Sequence, residues 1–144
     1  MKTVCLILSI LSFGRCMIFN NNPCALVPSY HAGIPADANW TATIMVPVSC
    51  TNGTFRWDYP KGHAILHFKD YGKTTSLCFS ESLGGDIFTI TDKNNHMQLN
   101  QLNRGSSAQV CTADSASGQP FVIQVDAPDT MYYMGEFAYE VKFV

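Results

Sequence analysis

The sequence predicts an all-β protein, an antiparallel β-sandwich closed by two disulfides. Three observations predict it. No window keeps the i, i+3, i+4, i+7 apolar stripe of an amphipathic helix. From about Thr41 onward, short segments either alternate apolar and polar or run apolar between turn signals, at the regular spacing of a sandwich. Four cysteines, Cys24, Cys50, Cys78 and Cys111, are spread through that same region, an even number suited to bridging in an oxidising compartment. Two such bridges would add about 2–4 kcal/mol each.

The elements follow in order. Asn22-Pro23 and the stretch to Pro35 read as an irregular lead-in. TATIMVPVS (41–49) alternates and is rich in β-branched residues, and Pro47 makes it an edge or bulged strand. Asn52-Gly53 is a hairpin turn signal, followed by a strand at TFRW (54–57). A turn at 59–62 leads to AILHF (64–68), and SLCF (76–79) is a further strand. Gly84-Gly85 breaks the chain before DIFTIT (86–91), and a turn at 92–95 precedes HMQLNQL (96–102). Arg104 to Ser107 turns into AQVCT (108–112). PFVIQVD (120–126) and EFAYEVKFV (136–144) are the last strands, with Ala127-Pro128-Asp129 between them. The expected core is Trp57, Ile65, Phe68, Phe88, Ile90, Leu99, Val110, Val122, Ile123, Phe137, Tyr139 and Val141.

The N-terminus reads as a signal for export. Lys2 precedes an apolar run at 4–13, VCLILSILSF. A membrane-spanning helix needs about 20 apolar residues, so the run matches the h-region of a signal peptide instead. Cleavage after Gly14 would leave five cysteines and cleavage after Cys16 would leave four, so parity favours a signal peptide at 1–16 and one domain at 17–144. Asn39-Trp40-Thr41 and Asn52-Gly53-Thr54 are glycosylation sequons, expected on exposed loops. Residues 17–144 carry five Lys and two Arg against eleven acids, a charge of −4. That balance argues against nucleic acid and against anionic membrane surfaces.

Chemistry-bearing patterns are sparse. His63 and His67 are four apart, but on a strand that spacing separates them by about 13 Å, too far to share one zinc. No G-x-S-x-G occurs, and bridged cysteines are not nucleophiles, so no catalytic residue is expected. The better lead is Met131-Tyr132-Tyr133-Met134, four large side chains in a row in a loop, of types enriched where proteins bind one another.

The stretch WDYPKGHAILHF (57–68) places a tryptophan strand, a Pro-Gly turn and an apolar strand ending in Phe in sequence. Near the C-terminus, Phe121-Val122-Ile123-Gln124-Val125 is followed by Gly135-Glu136-Phe137-Ala138-Tyr139. Together these resemble CUB domains. The run from Cys50 through Asn52-Gly53-Thr54 to Lys61-Gly62 is similar to the CUB-like N-terminal domain of meteorin-type secreted proteins. The resemblance covers roughly residues 24–143 and implies a jelly-roll sandwich with bridges Cys24–Cys50 and Cys78–Cys111. The calcium ligands of many CUB domains include a glutamate before the second cysteine, and none lies between Cys24 and Cys50. No metal or cofactor is therefore expected. The resemblance implies a secreted, monomeric, non-catalytic module that recognises an extracellular protein partner, in development, reproduction, immunity or venom. The alternative is a signalling ligand or toxin-like effector acting on a receptor. No membrane insertion is expected.

Overall fold

The computed structural model describes residues 22–28, 39–58, 61–99, 101–129 and 134–144. The segment expected to be a signal peptide lies outside them. Among the described residues ten strands form: β1 (Ala25–Leu26), β2 (Trp40–Val46), β3 (Asn52–Trp57), β4 (Gly62–Phe68), β5 (Thr75–Leu83), β6 (Thr89–Asp92), β7 (Met97–Gln98), β8 (Val110–Cys111), β9 (Phe121–Asp126) and β10 (Gly135–Phe143). They make two five-stranded sheets, β1-β3-β10-β5-β8 (sheet I) and β2-β4-β9-β6-β7 (sheet II).

The β-sandwich expected from the sequence is present, and its strands obey the two-residue period. Along β4, Ala64, Leu66 and Phe68 are buried while His63, Ile65 and His67 are half-buried on the other face. Sheet I turns Phe55, Trp57, Phe79, Phe137 and Tyr139 inward. Sheet II answers with mostly aliphatic side chains, Ala42, Ala64, Leu66, Ile90, Ile123 and Val125, and two rings, Phe68 and Phe121. Rings meet edge-on or tilted in one cluster, Phe55 against Phe88, Phe137 against Phe79, and Trp40 against Trp57. Such contacts add about 0.5–1.5 kcal/mol each beyond the area they bury.

Not every pairing is antiparallel, a correction to the expected fold. β1 pairs with β3 in parallel, and β2 pairs with β4 in parallel from Trp40 opposite Gly62 to Val46 opposite Phe68. The cause is connectivity. After β2 the chain crosses to sheet I to form β3, then returns to sheet II for β4, so β4 runs the same way as β2. Pro47 ends β2 rather than interrupting it, and β2 is an edge strand as its proline suggested.

The Asn52-Gly53 pair is likewise not a hairpin turn. It opens β3, and the reversal happens earlier, where the Cys50 amide donates to the Pro47 carbonyl at 2.9 Å. Gly53 serves close approach instead. A Cβ there would strike the Cys24 carbonyl and sit 2.6 Å from the Tyr139 hydroxyl oxygen. The segment 86–91 divides into a short 3-10 turn at Gly85–Ile87 and β6, and only Met97–Gln98 of the segment 96–102 is strand. Leu99 and Leu102 bury themselves from irregular backbone. Of the expected core, Ile65, Val110 and Val122 are only half-buried, with Ile65 and Val122 facing outward. The lead-in contains the two-residue β1.

The bridges are Cys24–Cys50 and Cys78–Cys111. The first ties the entry to β1 to the loop before β3. The second links directly opposed residues of β5 and β8, whose Cα atoms are 4.0 Å apart.

Candidate functional site

The expected binding loop is described only at Met134; Met131, Tyr132 and Tyr133 lie outside the described residues. Met134 is 52% exposed and precedes β10, with the Arg56 guanidinium donating toward its Sδ at 3.2 Å. Arg56 also pairs with Asp58 at 3.0 Å. The two sequons separate. Asn39 is exposed just before β2, at the end of the sandwich where that strand starts. Asn52 is the first residue of β3, exposed beside Glu140 near the end where β2 finishes. Asn52 is thus on a strand rather than in the loop expected for it, and the two positions do not crowd one end.

The registers assemble a different surface, the outer face of sheet II. Thr41, His63, Asp126 and Thr89 form one row across four strands. Thr43, Ile65, Gln124 and Thr91 form the next. Met45, His67 and Val122 form a third. Met45, on the edge strand, is 62% exposed. In these three rows Asp126 is the single Asp, Glu, Lys or Arg, and its carboxylate accepts from the Gln124 side chain at 2.7 Å. The outer face of sheet I differs. There Arg56, Glu136, Glu140 and Lys142 stand among Asn52, Thr54, Ala138 and Ser80.

The first row holds residue types found in nucleophilic triads, but not their arrangement. Thr41 Oγ1 and His63 Nε2 are 3.4 Å apart on an open sheet face, and Asp126 is engaged by Gln124. His63 and His67 share that face four residues apart, as the strand reading expected. Beside the row, Asn39, Lys61, Gly62, His63, Asp126, Ala127 and Asp129 line an open polar cavity of about 330 Å³. Lys61 and Asp129 lie 3.6 Å apart across it. Among the described residues no three His, Cys, Asp or Glu side chains converge as metal ligands, and each buried side-chain polar atom has a partner.

Two part-buried tyrosine hydroxyls meet the first disulfide. The Tyr71 hydroxyl donates to the Cys50 carbonyl at 3.2 Å, and the Tyr139 hydroxyl donates to the Cys24 carbonyl at 3.1 Å. Burial raises the Tyr71 hydroxyl above its ordinary value, and burial together with the neighbouring Tyr71 pushes Tyr139 up to about 12. The outer-face rows were legible as the second phase of each alternation, Thr41, Thr43 and Met45 in one strand and His63, Ile65 and His67 in another. Which strands lie side by side was not.

No family model matches the chain, and no curated protein matches it. Among solved structures it is similar to PliG of Aeromonas hydrophila, a periplasmic lysozyme inhibitor of g-type lysozyme. That match has 12% identity and a TM-score of 0.47, over 73% of this chain and 100% of the other. An overlap so slight transfers neither partner nor activity. No helix among the described residues is long and apolar enough to cross a membrane.

Proposed function

We propose that this chain is a secreted, non-catalytic binding module that recognises an extracellular protein partner with the outer face of sheet II. One observation carries the reading. Eleven strand positions, in rows led by Thr41, Thr43 and Met45 with Thr89 and Thr91 opposite, make a continuous face with one acid and no Lys or Arg. Cores of protein interfaces are depleted in charge in the same way, and methionine adapts to a partner's shape. Two disulfides support an oxidising, extracellular setting. Their pairing is the first-to-second, third-to-fourth pairing that the resemblance to CUB domains implies. A glycan on Asn39 would stand at the rim of the face, beside the polar cavity, and one on Asn52 would stand on the opposite sheet.

The test places a photo-crosslinking residue at Thr43 in one version of the protein and at Ala138, on the outer face of sheet I, in another. Both are exposed to extracellular material with and without excess unlabelled protein. The expected result is an adduct that forms from position 43, is competed away, and is absent from position 138. Equal, uncompeted labelling from both positions overturns the proposal.

A further inference from the structure

The two disulfides differ in exposure. Cys50 is fully buried and Cys24 half-buried, both half-cystine carbonyls of Cys24–Cys50 accept a tyrosine hydroxyl, and the Cys24 carbonyl also accepts the Thr54 amide at 3.1 Å. Cys78–Cys111 lies at the edge of sheet I. Cys78 is buried, Cys111 is exposed, and β8 is only two residues long. Besides the two-residue ladder pairing Cys78 with Cys111 and Phe79 with Val110, few bonds hold this segment to β5. The Thr112 amide donates to the Leu77 carbonyl at 2.9 Å, and the Leu77 amide donates to Thr112 Oγ1 at 3.0 Å. Thr75 and Ser115 exchange backbone bonds of 3.1 and 2.7 Å. Beyond Ser115 the outer edge of β5 has no other strand partner among the described residues.

We propose that Cys78–Cys111 is a thiol-sensitive latch: an external thiol reduces it ahead of Cys24–Cys50, and reduction frees residues 110–115 from β5. A thiolate attacks at exposed Cys111, the bond between the two cysteine sulfurs breaks, and Cys78 departs as a thiolate that takes up a proton. A second thiol then displaces Cys111 from the mixed disulfide. The reductant leaves as its own disulfide, having supplied two electrons. Exposure of one sulfur-bearing residue sets the order, because exchange depends on access. The consequence is an opened edge. With 110–115 released, the amides and carbonyls of Thr75 and Leu77 become available to an extended strand of another chain, the usual hazard and use of an uncovered edge.

The experiment treats the oxidised protein with limiting dithiothreitol, alkylates new thiols with one reagent, then reduces fully and alkylates the rest with a second. The expected result is at least tenfold more of the first label on Cys78 and Cys111 than on Cys24 and Cys50. Equal labelling, or Cys24–Cys50 opening first, overturns the proposal. Hydrogen exchange on the partly reduced protein reads the release directly. The Thr75 and Leu77 amides should exchange at least tenfold faster while the Leu66 amide in sheet II is unchanged. Unchanged exchange at Thr75 and Leu77 after selective reduction, or accelerated exchange throughout, also overturns it. The paired variant Cys78→Ala, Cys111→Ala should reproduce the local acceleration with no reductant present.

Discussion

The two sheets share a core but divide the labour. Sheet I holds most of the large aromatic side chains, ends in charged residues on its outer face, and carries Cys78–Cys111 within its own ladder. Cys24–Cys50 also closes on its entry strands. Sheet II buries mainly aliphatic side chains and shows solvent a nearly uncharged face. The difference teaches that the covalent bracing lies on the sheet opposite the nearly uncharged face. A face left free to meet a partner must not need that partner for stability, and here the braces and heaviest packing sit on the other sheet.

Five substitutions break or sharpen that contrast. The largest effect is expected inside. Phe137→Ala removes the ring that stacks on Phe55 and meets Phe79 and Phe88, and should destabilise by about 3–5 kcal/mol in urea unfolding. Leu66→Ala, buried in sheet II, should fall at or below that range, about 2–5 kcal/mol. A larger loss at Leu66 than at Phe137 would reverse the assignment of the anchoring sheet. Next, Gly53→Ala forces a methyl against the Cys24 carbonyl and Tyr139, and should lose about 1–3 kcal/mol.

Tyr139→Phe comes next, at about 1 kcal/mol near neutral pH, because the Cys24 carbonyl keeps its bond from Thr54. This substitution has a pH signature. The folded protein holds the Tyr139 proton up to about 12, against 10.0 for the ordinary group, and Tyr71 is raised as well. The proton-linked stability is therefore complete below pH 10 and is lost as pH rises from 10 through about 12. Unfolding midpoints for the parent and the Phe variant should converge over that interval. Parallel curves would remove the hydroxyl from the account. The smallest effect is Met45→Lys, exposed on the same edge strand, which should shift stability by no more than about 0.5 kcal/mol while abolishing the position-43 adduct in the crosslinking assay.

The strands themselves were readable, because a buried face leaves a two-residue rhythm wherever polar residues fill the other phase. The rhythm is ambiguous where both phases are apolar. In AILHF, Ile65 and Phe68 are three apart and so must face opposite sides, and only Phe68 is buried. The adjacent Val122 and Ile123 pose the same choice, and Ile123 is the one inside. Gly53 was misread because a glycine before a strand signals a turn as readily as a close contact, and the Cys24 carbonyl that needs its space is far away in sequence. The outer-face rows needed strand order, which depends on where the chain crosses between sheets. Nothing local to residues 40–46 reveals that β4 will lie alongside in parallel.

The place of β10 bears on how the molecule is made. Residues 135–143 form the middle strand of sheet I, flanked by β3 and β5. During synthesis, β3 and β5 emerge long before the strand that joins them, so their facing edges and aromatic rings wait unpaired. Pairings between residues this distant are slow to form, and waiting edges invite the wrong partners. Closure of sheet I is thus a late event on the ribosome or after it, and the Cys24–Cys50 bond, made between early residues, can be in place before that closure begins.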